Sequence, residues 1–169
     1  MATRSIISVV ATEGYKTETG SSVRINDERV GWFGRYCHWD GYPEHMVPVL
    51  GKMVRRFGVA GAKTRVMARG WSTLGTCDQG QYIDFSKLGD NEPVGKSSHD
   101  NDPFLIEGGD DWGTEFRYLI KNDGNLEVYE VSYDRETPHK LLETYNLETG
   151  LKIQPALSGA ALSILRVIQ

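Results

Sequence analysis

The chain has 169 residues and only two cysteines, Cys37 and Cys77. That excludes a small domain stapled by disulfides, so an apolar core has to hold the fold, and two free thiols in a reducing compartment are expected. Positive charge is also short, with 19 Lys and Arg against 23 Asp and Glu for a net charge of −4. Proteins dominated by DNA or RNA binding carry a basic face. Here the cations come only in small groups, Lys52, Arg55 and Arg56, then Lys63, Arg65 and Arg69, so nucleic acid is disfavoured as a partner. No apolar run approaches the ~20 residues of a membrane helix. The opening "MATRSIISVVATEGYK" lacks signal-peptide architecture. A cytoplasmic protein with no membrane partner is therefore expected. P-loop, GxGxxG, nucleophile-elbow, HExxH and paired CxxC motifs are missing as well; no cofactor is expected.

What is present suits one globular domain over 1–169: 39% apolar and 25% charged residues, in a chain long enough to bury a core. "RSIISVVA" (4–11) is a β-branched run and reads as a strand, and "SVRINDERVGWFGRYCHWD" (22–40) as one or two more. Alternation puts Arg35, Cys37 and Trp39 on one face and Tyr36, His38 and Asp40 on the other, with Trp39 toward the core. "DGYP" stops the strand, with Gly41 free to take φ > 0. Pro43 suits the first turn of a helix over 43–57, and Val47, Leu50, Val54 and Phe57 form its apolar stripe. A second short helix is expected at 61–69. Residues 75–113 lose all periodicity and read as a long irregular loop. Asn122-Asp123-Gly124 between alternating runs predicts a late β-hairpin within 114–133. "HKLLETYNLETG" reads as a helical turn, and 151–169 as a packing or partner-binding tail. The sum is an α+β fold: a mostly antiparallel sheet with two short helices on one face, a long central loop and the late hairpin.

The segment "YCHWDGYPEHMVPVL", with "TRSIISVV" before it, "GWSTLG" after it and the late "FRYLIKNDGNLEVYEV", resembles a family of small proteins of tailed phages, prophages and bacteria. That family carries a Y-C-H-x-D-G-Y-P-E motif. The likeness covers roughly residues 3–75 and 114–132. The chain departs from the pattern just after the motif, where Met46–Pro48 stand in place of a small Val-Gly pair. The resemblance implies a setting, a phage-type accessory protein in the cytoplasm of a bacterial host, and with it an anti-defence role by contact with a host component. It does not imply a chemistry.

The chemistry has to come from the cluster itself, and three readings compete. Cys37 beside His38 suggests a nucleophile and base, but neighbours on a regular strand point to opposite faces. Cys37 would need His45, His99 or His139 instead, and the competing structural role is a small buried thiol. His38, Asp40, Glu44 and His45, supplemented by His99, Asp100, Asp102, Asp110 and Asp111, are metal-ligating types without an established spacing. His38, Asp40 and His45 are the candidates if a metal is held, and none is expected. The bland alternative makes Asp40 a helix cap. The third reading is binding. Tyr36, His38, Asp40, Tyr42 and Glu44 at a strand-to-helix junction offer rings and polar edges, and Arg35 or the Lys52, Arg55 and Arg56 group offers charge for an anion. Against it stands a purely structural use of the same residues, with Trp39 and Tyr42 filling the core.

The sequence thus favours a protein that binds a host small molecule or host protein, with a nucleotide-like signalling ligand as the leading candidate. The alternatives are a small hydrolase using Cys37 or a His/Asp metal site, and a protein-interaction module. Self-association into a homo-oligomer is compatible with each.

Overall fold

A computed structural model describes residues 2–10, 15–16, 22–23, 32–98, 104–105, 113–132 and 139–155. In chain order the elements are β1 (Ser5–Val10), β2 (Tyr15–Lys16), β3 (Ser22–Val23), β4 (Trp32–Cys37), α1 (Pro43–Met67), β5 (Trp71–Leu74), β6 (Gly95–Ser97), β7 (Phe104–Leu105), β8 (Phe116–Ile120), β9 (Asn125–Glu130), β10 (Lys140–Asn146) and β11 (Lys152–Ile153). Among the described residues, eight strands run in the order β11-β10-β9-β8-β1-β4-β5-β6; β7 pairs with β4 beside that path, and β2 and β3 pair separately.

The sheet is mixed and mostly antiparallel, as the alternating runs suggest. Two pairings are parallel, β1 with β8 and β4 with β5. Both require a crossover rather than a tight turn, and α1 makes the one between β4 and β5. β1 lies at the centre, antiparallel to β4 and parallel to β8, so that Ile7 sits between Arg35 and Tyr118 in one row. That row faces α1: Ile7, Val9, Cys37, Tyr118 and Ile120 share a core with Met46, Leu50, Met53 and Val54. Ile6 and Ser8, on the opposite face of β1, are also fully buried. A strand covered on both faces loses the apolar–polar alternation, as the adjacent Ile6 and Ile7 show, although Ser8 keeps one polar group in the run.

The expectation of two separate helices is corrected to one kinked element. It runs for 25 residues from Pro43 to Met67, and Gly58, in a non-helical conformation (φ 74°, ψ 171°), breaks it just past Phe57, where the first of the two was expected to end. Its buried stripe is rotated from the expected one. Met46, Val49, Leu50, Met53 and Val54 are buried, whereas Val47 and Phe57 are only partly so. The helix end is closed by two long side chains. The Arg35 Nε donates to the Met67 carbonyl at 2.9 Å and the Trp71 indole to the Val66 carbonyl at 2.8 Å, satisfying acceptors that the helix leaves without a partner.

The late hairpin is β8–β9, turning at residues 121–124 with Gly124 at φ 86°. The stretch read as a loop over 75–113 contains β6, antiparallel to β5, and β7. Residues 76–94 close locally through a bridge between Thr76 and Tyr82, bury Phe85 and Val94, and return to the sheet where the Gly75 amide donates to the Val94 carbonyl at 2.8 Å. "HKLLETYN" is the strand β10 rather than a helical turn, paired with β9 through a register shift between Leu141 and Glu143. Both cysteines are free. Among the described residues no helix is long and apolar enough to cross a membrane. The tail beyond 155, and His99, Asp100, Asp102, Asp110 and Asp111, lie outside the described residues.

Candidate functional site

The YCHWDGYPEH segment occupies the carboxyl end of β4 and the start of α1. Parallel pairing with β5 continues for two residues past the strand, since the His38 amide donates to the Trp71 carbonyl at 3.1 Å and the Trp39 amide to Ser72 at 2.8 Å. Asp40 then turns the chain at φ 56°, the one positive φ outside glycine among the described residues. Aspartate tolerates this left-handed region better than most side chains. Gly41 was expected to take it and does not. Its use is close approach: its amide donates to the Thr3 carbonyl at 2.9 Å, and its own carbonyl accepts the buried Tyr118 hydroxyl at 2.7 Å. The segment is thereby fastened to the edge of β1 and to β8.

That turn decides where the cluster's side chains go. The Tyr36 hydroxyl and His38 Nδ1 are hydrogen-bonded at 2.9 Å, and the His38 ring meets Trp39 edge-on at 4.8 Å. Trp39 is 47% exposed and Tyr42 39% exposed, which overturns the core position expected of Trp39 and the structural alternative that put both rings in the core. Trp71, by contrast, is buried in the core. Tyr42 precedes the helix and its ring lies 5.9 Å from that of His45, whose Nε2 donates to the Leu74 carbonyl at 2.9 Å. Asp40 does not cap α1. The helix has no side-chain cap, and the Asp40 carboxylate accepts from the Thr73 hydroxyl on β5 at 3.3 Å. Glu44 is exposed in the first helical turn.

Tyr36, His38 and Trp39 therefore form one connected group. Tyr42 and His45 form a second across the helix start, and Asp40 is held with Thr73, a residue the sequence did not flag. Arg35 does not join them. It is fully buried on the α1 side of the sheet, at the far end of the helix, and cannot neutralise an anion at the strand end. Cys37 is likewise in the core. Its Sγ donates to the Trp39 carbonyl at 3.4 Å, and burial pushes its pKa up to about 12. A nucleophilic thiol needs the opposite shift. Among the described residues no group of three or more His, Cys, Asp or Glu is placed to hold a metal ion.

The cations flagged in the sequence converge elsewhere. Lys52, Arg55 and Arg56 lie on one face of α1 at three- and four-residue spacing. They form one wall of a cleft of about 640 Å³ whose other wall is Tyr82, Ile83, Asp84, Phe85 and Ser86. The spacing of the cations was visible in the sequence; the wall opposite was not, because the 76–94 return has no periodicity to read.

No protein family, curated protein or solved structure matches the chain.

Proposed function

We propose that the protein acts by binding a host component at the carboxyl edge of β4 and β5, with Trp39 and Tyr42 as the contact rings and His38 as the polar group between strand and helix. One observation carries the reading: two large aromatic side chains, placed where β4 passes into α1, are exposed although the core has room for aromatics such as Trp71 and Tyr118. In open sheets with parallel strands, ligands bind outside the strands' carboxyl ends. Tyr and Trp are the side chains that supply most contact energy per residue where surfaces meet. The ligand proposed is nucleotide-like, its base stacked on Trp39. The setting, a phage-type accessory protein in a bacterial cytoplasm, rests on the motif resemblance. The hydrolase alternative finds no support in a thiol that is buried and held protonated.

The test is retention from a bacterial nucleotide extract. Bound material is released by heat and identified by mass spectrometry. With the α1 cations disarmed by Lys52→Glu, the protein is expected to return an unaltered ligand, and with Trp39→Ala added to return none. A chemically altered ligand shows an enzyme; retention that survives both Trp39→Ala and Tyr42→Ala removes the strand end as the site.

A further inference from the structure

We infer that the cleft between α1 and the 82–86 segment is a separate binding site, for a nucleoside phosphate. It uses none of the strand-end residues, so either site can fail without the other. The chain as a whole is acidic at −4, yet the cleft sets three cations against one carboxylate, Asp84. That carboxylate is already engaged: it accepts from the Ser86 amide at 3.1 Å and from the Ser86 hydroxyl at 2.6 Å, and lies 3.7 Å from Lys87. Arg56 is partly engaged too, donating to the Leu88 carbonyl at 3.0 Å, with Asp90 at 3.7 Å. Arg55 forms no ion pair among the described residues but donates to the Leu147 carbonyl at 3.4 Å, and Lys52 has neither an ion pair nor a hydrogen bond there. Like charges at these helical spacings repel one another, and an anion bound between them removes that cost.

The other half of the cleft suits a base. Tyr82 is 84% exposed, the most exposed large apolar side chain among the described residues, and it stands on the wall facing the cations. An exposed ring across from charged donors is the pairing that a ligand with one π-face and one phosphate requires. Size selects a small ligand over a polymer. A volume of about 640 Å³ lies within the usual ~300–1,000 Å³ of small-molecule sites. The cations span little more than one helical turn, whereas a nucleic acid would be followed by a basic stripe.

Titration calorimetry with adenosine diphosphate and with inorganic pyrophosphate tests the site. Both probes should bind, and more weakly as salt is raised. Lys52→Glu and Arg55→Glu should each weaken both probes about tenfold or more, since each removes one phosphate contact and adds a repulsion. Tyr82→Ala should weaken the nucleotide about tenfold and leave pyrophosphate within about twofold, as loss of one stacked base would. Lys52, Arg55 and Tyr82 are exposed, so the variants should fold. Amide NMR shifts confined to 52–56 and 82–86 would locate the site without any substitution. The inference is overturned if neither probe binds, if binding survives the charge reversals, if it is lost in Trp39→Ala, or if a single-stranded RNA competes more tightly than the nucleotide.

Discussion

Gly41 lies against Thr3 so closely that a Cβ on the glycine would fall 2.6 Å from the Thr3 carbonyl oxygen and 2.7 Å from the Ser5 Cβ. The obstacle is backbone and a buried side chain rather than the end of a flexible one, so it cannot swing aside. The strand end is also held from β5, through His38, Trp39 and Asp40, but this contact is its tie to the start of β1. It fixes Gly41, Gly41 fixes the direction of the helix start, and the Tyr118 hydroxyl locks the same peptide from beneath.

Gly41→Ala should therefore destabilise the protein by ~1–3 kcal/mol, the usual cost of overpacking. The reason is steric approach and not a left-handed φ. Gly80→Ala offers the contrast, because that glycine has φ 78° and open space around it. Its cost should stay near ~1 kcal/mol and come from conformation alone. Urea midpoints of the two variants would separate the mechanisms. Equal stability of Gly41→Ala and wild type would mean that β1 and the DGYP turn are not in contact.

The two tryptophans make a second pair. Trp71 is buried and donates to the Val66 carbonyl, whereas Trp39 stands half in solvent. Trp71→Ala should cost ~3–5 kcal/mol, and Trp39→Ala should stay within about 0.5 kcal/mol, as surface changes do. Acrylamide should quench Trp39 in the native protein and leave Trp71 dark to it. A silent Trp71→Ala would mean that the faces of the sheet are assigned backwards.

These contrasts also mark what could be read in advance. β1, the start of α1 at Pro43 and the β8–β9 hairpin were legible because each is signalled locally, by a β-branched run, by Pro with an acidic neighbour, and by Asn-Asp-Gly. The sharing of a face by Arg35 and Cys37 was legible too, since both lie on a regular strand. Trp39 escaped that alternation because β4 ends at Cys37 and Asp40 reverses the backbone at φ 56°. The parallel β1–β8 pairing joins segments about a hundred residues apart, and no short-range pattern encodes it. A buried arginine is invisible for a different reason. Arg35 reads as a surface charge until the helix end that it closes is in place.

The last prediction concerns alkaline pH. Burial raises the Cys37 thiol from 9.0 to about 12, and it raises the Tyr118 hydroxyl above its ordinary 10.0, with Glu44 adding to the effect. In the unfolded chain both groups ionise near their ordinary values, so above pH 9 the native state holds protons that the unfolded state has released. Stability then falls as pH rises. The contribution of Cys37 is complete below pH 9 and is lost progressively as pH climbs toward 12. Lys63 acts in the opposite sense. Burial lowers its pKa below 10.5, so in the window just under that value the unfolded chain holds the extra proton and stability gains slightly. Tyr129 and Tyr145 are raised as well, Tyr129 by burial and a carboxylate neighbour and Tyr145 by a carboxylate neighbour and burial, so the raised acids outweigh the one lowered base. Urea midpoints should be level from pH 7 to 8.5 and then decline, with Cys37 alone accounting for up to ~2 kcal/mol by pH 10.5. In Cys37→Ala the decline should be shallower even though the starting stability is lower, so the slope is the quantity to compare. A thiol reagent at pH 8 checks the same burial independently. It should modify Cys77, which is partly exposed, and reach Cys37 only at the rate of unfolding. Rapid modification of both thiols in the native protein would put Cys37 back among the accessible nucleophiles.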